Sequence, residues 1–140
     1  KTRQQRYFAL ALDHVTALEN ADTELKRSYA ALCHMVPLLV RNDGLCQAVA
    51  WIDAKGHADP PTPLSQAYGV LRTHIASLLA DGHNDRADQL LHKVQSASVP
   101  DYMRYTRVLL DALIYYKRFV QSVLGLVPDN VDRLRDGGAG

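Results

Sequence analysis

The chain has 140 residues, 47% of them hydrophobic, which is enough for one domain with a buried core and too few for two comfortable ones. Charged residues interrupt the apolar positions often enough that no run of eighteen or more could cross a membrane. Sixteen Lys and Arg against fifteen Asp and Glu leave a net charge of +1, so any electrostatic function must come from how the charges are arranged.

The spacing of apolar residues predicts the fold class. Hydrophobic positions recur every three or four residues, as on the buried face of an amphipathic helix. No Asn-Gly or Asp-Gly pair stands between two alternating runs, so hairpin signals are absent. We predict an all-α protein, a compact helical bundle of about five to six helices. Its single domain is expected at residues 1–124, followed by a weakly ordered C-terminal tail at residues 125–140.

The first predicted helix covers residues 3–19 and is amphipathic. Arg3 and Arg6 lie on its polar side. The apolar stripe that is expected to face the core consists of Phe8, Ala11, Leu12, Val15 and Leu18.

Asp22 is a typical N-cap and predicts a second helix that starts there. We expect Pro37 to kink this helix near its end. Its inward-facing residues are predicted to be Leu25, Tyr29, Leu32, Val36 and Leu39. A third helix, at residues 45–54, follows the turn Asn42-Asp43-Gly44, in which Asn42 or Asp43 is the expected cap. This helix is apolar on more than one side, including Trp51. This pattern predicts a buried helix.

Residues 55–63 are the clearest loop, because three prolines and a glycine in nine residues cannot sustain a helix. Thr62 as cap and a proline at the first helical position start a fourth helix at residues 63–80. Residues 81–83 should break that helix, and a fifth is predicted at residues 85–96.

The last predicted helix, residues 99–124, is the longest. Ser98 with Asp101 reads as a capping box, a proline stands in the first turn, and Gly125 ends the helix. Its predicted buried face carries Tyr102, Tyr105, Thr106, Leu109, Leu113, Tyr116, Val120 and Leu124. The opposite face carries Arg104, Arg107, Asp111 and Arg118.

The charged face of this helix has two interpretations. It is either a solvated surface on a core helix or a row of guanidinium groups for RNA phosphates, which arginine binds through its planar fork of donors. Tyr115, beside Lys117 and Arg118, is expected at the edge of the core, where an aromatic ring can stack on an unpaired base. Tyr116 is expected in the core.

Two further basic clusters stand elsewhere in the sequence. One consists of Lys1, Arg3 and Arg6 at the start of the chain, and the other of Lys26, Arg27 and Arg41 on the second helix. Each is ordinary for a soluble protein, so they count only in combination with other signals.

Cysteine and histidine spacing argues against a metal or cofactor. Cys33 and Cys46 are expected to be reduced, with Cys33 packed in the core, in a chain that we expect in the cytoplasm. The sequence contains no zinc-finger spacing of cysteine and histidine, no HExxH motif and no glycine-rich phosphate loop. We therefore expect no metal, no cofactor and no catalytic residue.

One enzymatic alternative stays open, a helical ribonuclease marked by an arginine followed by a histidine. Arg27 with His34 and Arg86 with His92 have such spacing. About one or two such pairs are expected by chance in a chain of this composition, so the signal is weak.

Three segments together resemble the small helical subunit of type III-B CRISPR effector complexes, the Cmr complexes that use a guide RNA to capture invading transcripts. The segments are RQQRYFA at residues 3–9, VRNDGLCQAVAW at residues 40–51, and YMRYTR at residues 102–107 with YKRF at residues 116–119. Their order and spacing fit over nearly the whole chain, to about Leu124.

The resemblance implies a non-catalytic structural subunit that stacks in a few copies into a filament and helps to form the groove for target RNA. Its implied partners are the large subunit, the backbone subunits, copies of itself, and the phosphate backbones of guide RNA and target RNA, with no membrane. The candidate RNA-binding residues are Arg3, Arg6, Lys26, Arg27, Arg104, Arg107, Lys117 and Arg118. A helical adaptor that binds only protein is the alternative of another class, since the same arginines would then be a solvated face.

Overall fold

Six α-helices and one short 3₁₀ turn, Ala87–Gln89, form the part of the chain that the computed structural model describes, residues 2–80 and 85–126. No strand occurs in these two ranges. The helices are α1 (Arg3–Thr16), α2 (Thr23–Asp43), α3 (Leu45–Lys55), α4 (Pro63–Leu78), α5 (Leu90–Gln95) and α6 (Val99–Ser122). The predicted all-α bundle is confirmed.

Several helix starts follow from local sequence. Asp22 accepts hydrogen bonds from the first turn of α2, as predicted. Thr62 and Ser65 form a reciprocal capping box at α4, where a proline occupies the first turn. Ser98 accepts the backbone N–H of Asp101 at the start of α6. At α1, Thr2 forms a capping box that the sequence interpretation did not include.

The helices pack so that α1 lies along α6, while α2 contacts both α4 and α6. α3 packs against α2, α4 and α5. The core predicted for α6 is confirmed in its centre, where these residues are buried: Tyr105, Leu109, Leu113, Tyr116 and Val120. Cys33 is also buried, and Cys33 and Cys46 are both free thiols.

The structure corrects the orientation of α1. Phe8 was expected in the core but is 48% exposed, whereas its neighbour Tyr7 is buried. The buried stripe consists of Tyr7, Ala11, Val15 and Leu18. It also has helical spacing, but it is rotated about the helix axis relative to the predicted stripe, by less than the angle between two successive residues. Leu12 is only partly buried. The change brings the Phe8 ring to the surface.

Several predicted helix ends were too long. α1 ends at Thr16, because the N–H groups of Leu18 and Glu19 donate to carbonyls three residues back, as Leu18 does to Val15. α4 ends at Leu78 and α6 at Ser122. The predicted fifth helix is a 3₁₀ turn followed by the six-residue α5. Pro37 lies inside α2, which continues to Asp43. The predicted cap of α3 is therefore wrong, because Asn42 and Asp43 still belong to α2 and Gly44 is the N-cap of α3.

Some predictions fall on residues that the structure does not describe. These are the position of Lys1, the helix break at residues 81–83, and the tail from residue 127 onward. Gly125, with φ of 70°, adopts the left-handed backbone that ends α6, and the N–H of Leu126 then donates to the carbonyl of Val120 at 3.1 Å. Among the described helices, none is long and apolar enough to span a membrane.

Candidate nucleic-acid interface

The packing of α1 along α6 brings two of the predicted arginines, Arg3 and Arg118, to one surface cleft of about 500 Å³. The two residues come from opposite ends of the described chain. Tyr115 and Asp111 of α6 also line this cleft. The fold thus brings two arginines that are far apart in the sequence into one cationic cleft.

The charges of this cleft are largely available to a ligand. Arg3 and Arg118 are both exposed, and neither takes part in the ion pairs found within residues 2–80 and 85–126. The guanidinium carbon of Arg118 lies 5.8 Å from the centroid of the Tyr115 ring, within the range of a cation–π contact. Asp111 contributes one negative charge to the same cleft.

Arg6 points to a different place. Its Nη2 donates to the backbone carbonyl of Ser77 at 3.3 Å, which ties α1 to the end of α4. The depression around it is lined by Asp13 and Asp85 as well. Arg6 is therefore separated from the Arg3–Arg118 cleft and lies among carboxylates.

The pair at the start of α2 has partners of its own. Lys26 Nζ donates to the carbonyl of Glu19 at 3.2 Å. Arg27 forms an ion pair with Glu24 at 3.3 Å, and both side chains are about half exposed. Such a pair contributes little to stability and can be exchanged for another anion at low cost.

The remaining predicted residues on α6 differ in exposure and in partners. Arg104 pairs with Asp101 at 3.3 Å and lies 4.9 Å from the Tyr105 ring centroid. Arg107 is exposed. Lys117 is half-buried on another side, near Cys33: burial raises the pKa of that thiol to about 12, and the Lys117 charge opposes this effect. Only Arg107 and Arg118 therefore extend the exposed basic face.

The sequence interpretation missed an aromatic surface beside the cleft. Phe8 meets Phe119 at a centroid distance of 5.2 Å and Tyr115 at 6.1 Å, both edge to face. A hollow of about 440 Å³ is lined by Gln4, Gln5, Phe8, Ala9 and Tyr115. The sequence contains one signal for this surface, a second apolar stripe of α1 that begins at Tyr7. If this stripe faces the core, Phe8 lies at the protein surface.

Three residues of the ribonuclease alternative, Arg27, His34 and Arg86, have other partners. Arg86 binds Asp88 through two hydrogen bonds, of 3.2 and 2.8 Å. His34 Nδ1 is 2.9 Å from the carbonyl of Ala30, and Arg27 is paired as described above. Within the described residues, no contact joins Arg27 to His34 or Arg86 to His92, as a shared catalytic cleft would require. The arginine and histidine that do meet are Arg72 and His57, 3.0 Å apart, and Arg72 is held there by Asp53 at 2.7 Å. In the two described ranges, no cluster of three His, Cys, Asp or Glu side chains could hold a metal ion.

Comparison with known proteins gives consistent results. Residues 3–123 match the family model described as CRISPR-associated protein (Cas_Cmr5). The chain is 31% identical over 124 residues to the "CRISPR system Cmr subunit Cmr5" of Thermus thermophilus, covering 89% of this chain and 97% of that protein. A crystal structure of a Cmr5 family protein from Thermus thermophilus superposes with a TM-score of 0.67 at 29% identity, covering 87% of this chain and 97% of the other.

Proposed function

The chain belongs to the Cmr5 family of CRISPR-associated proteins, and on that basis we propose that it is a non-catalytic subunit of a type III-B RNA-guided effector complex. In this proposal it stacks with copies of itself and helps to form the groove that holds target RNA. Its partners are the large subunit, the backbone subunits, guide RNA and target RNA, all in the cytoplasm. Chemistry on the RNA belongs to other subunits.

The observation that carries the RNA role is the cleft between α1 and α6. It joins Arg3 and Arg118, two exposed guanidinium groups without carboxylate partners in the described chain. Phosphate contacts of this kind supply affinity without reading sequence. Sequence recognition is left to base pairing with the guide, so the subunit needs no base code of its own.

The eight candidate residues differ in what an RNA contact would cost them. We expect Arg3, Arg107 and Arg118 to contribute most, because they need not release an anion. Arg27 is paired with Glu24 and Arg104 with Asp101. To bind a phosphate, each arginine must share its donors with that carboxylate or release it. Arg6 and Lys26 donate to backbone carbonyls and keep donors to spare. Lys117 contributes least, because it is half-buried beside α2.

Charge reversal at the cleft tests this proposal. We expect the double variant Arg3→Glu with Arg118→Glu, assembled into the full complex, to bind target RNA more weakly and with a shallower salt dependence. A plot of log K against log salt has a negative slope, and each lost phosphate contact should reduce the magnitude of that slope by about 0.7 to 0.9. The measurement is target-RNA affinity of the purified complex across a series of salt concentrations.

Lys55→Glu is the control for charge reversal, because it makes, at one exposed site, the change that the double variant makes at each of its two sites. Lys55 ends α3, which packs mainly on α2, α4 and α5. Unchanged affinity and slope in the double variant, with normal assembly, would refute the phosphate role and favour the protein-only adaptor.

A further inference from the structure

We infer that Phe8 and Tyr115 form a stacking surface for an unpaired RNA base, directly beside the Arg3–Arg118 cleft. This inference rests on the proposed function, and it adds a second mode of RNA contact to the phosphate contacts. It concerns the hollow lined by Gln4, Gln5, Phe8, Ala9 and Tyr115.

The Phe8 ring is exposed and held in place at the same time. It is 48% exposed, although a buried position would remove more apolar surface from water. Its edge-to-face contacts with Tyr115 and Phe119, at 6.1 and 5.2 Å, limit its movement. A ring that is already positioned loses little conformational entropy when a flat ligand stacks on it.

The aromatic hollow adjoins the cationic cleft. Gln4 and Tyr115 line both, so they form a shared wall. On one side of this wall lie Arg3 and Arg118, and on the other lies Phe8. A nucleotide has the same two-part chemistry, an anionic phosphate linked to a flat aromatic base.

The other groups at the site fit this ligand. Gln4 is exposed and has an amide that can both donate to and accept from a base edge. Arg118 already lies over the Tyr115 ring, an arrangement that adds a cation–π contribution when a base stacks nearby. Asp111, on the cleft side only, leaves the arginine pair with an excess of one positive charge.

Stacking and phosphate contact have different signatures, and these separate the inference from the proposed function. We expect Phe8→Leu, assembled into the complex, to weaken target-RNA binding by about 5- to 150-fold, the typical effect of removing an aromatic side chain on which a base stacks. The salt slope should stay unchanged, because no charge is altered. Phe8→Tyr keeps the ring and should bind RNA like the parent chain.

Leu38→Ala is the control for removing exposed apolar surface, because Leu38 is 50% exposed on α2. Thermal unfolding of each free variant establishes that Phe8→Leu is folded. If Phe8→Leu binds RNA normally while the arginine variant does not, stacking is wrong and the proposed function stands. If Phe8→Leu prevents incorporation into the complex, the hollow is a protein-docking surface and the inference is overturned. If neither variant changes RNA binding, both fail.

Discussion

Two histidines lie where the helices α1, α2, α4 and α6 meet, with His74 buried and His14 half-buried. The rings of His14 and His74 stack with centroids 4.0 Å apart and planes 6° from parallel. His14 Nδ1 shares a hydrogen bond of 2.6 Å with the Tyr116 hydroxyl, and His74 Nδ1 one of 2.6 Å with the Tyr29 hydroxyl. The network satisfies four polar side chains in a largely apolar core.

Burial lowers the pKa of His74 to about 3, and the neighbouring His14 acts in the same direction. Burial also lowers the pKa of His14. The folded state therefore keeps both rings neutral at a pH where the unfolded chain binds protons. The stability that depends on these neutral rings is complete above pH 6.5 and is lost progressively as the pH falls below it.

We accordingly expect the contribution of His74 to the free energy of unfolding to fall by about 2 kcal/mol between pH 7.5 and pH 5. Urea unfolding of the free protein at the two pH values measures this. His74→Gln should be less stable at pH 7.5 but should lose less on acidification. His92→Gln, at an exposed position, is the control and should behave like the parent chain. Equal acid sensitivity in the parent and His74→Gln would contradict this account.

At the scale of elements, the turn between α2 and α3 depends on a glycine and a distant tyrosine. Gly44 has φ of 88° and ψ of 161°, a backbone region that is essentially restricted to glycine. Because glycine has no side chain to cap α3, the hydroxyl of Tyr102 in α6 accepts the backbone N–H of Cys46 instead, at 2.9 Å.

The same substitution at two glycines should therefore have opposite effects. We expect Gly44→Ala to destabilise the protein by about 1 to 3 kcal/mol, because the new side chain is strained in this conformation. Gly69→Ala, inside α4 with nothing within 4 Å of the added carbon, should stabilise it by about 0.5 to 1 kcal/mol. Denaturant unfolding of both variants checks the signs, and a neutral Gly44→Ala would disprove the role of the turn.

Elements with a local signal could be predicted from the sequence, and those held by packing alone could not. Asp22, Thr62 and Ser98 mark helix starts through hydrogen bonds to the nearby backbone, so their positions were found correctly. α5 has no side-chain cap and is only six residues long, so its extent depends on tertiary contacts. In α1, two apolar stripes have helical spacing, one through Phe8 and one through Tyr7. Which of them is buried depends on how α1 packs, mainly against α6.

At the scale of the whole molecule, the sequence identified the basic residues but not which of them meet. Arg3 and Arg118 share a cleft only because α1 lies along α6. Arg104 and Arg107 were assigned to one face with Arg118, yet Arg104 is partly occupied by Asp101 and Tyr105. The family could be identified from the sequence, whereas the position of the Phe8 ring required the fold.

In the proposed function, this chain contacts RNA through the surface formed by α1 and α6. Ultraviolet crosslinking of the assembled complex to labelled target RNA, followed by identification of the modified peptides, tests it most directly. We predict RNA adducts on peptides that contain residues 3–8 and 115–118 of this chain. Adducts on neighbouring subunits with none on this chain would contradict the account and identify it as an adaptor that binds only protein.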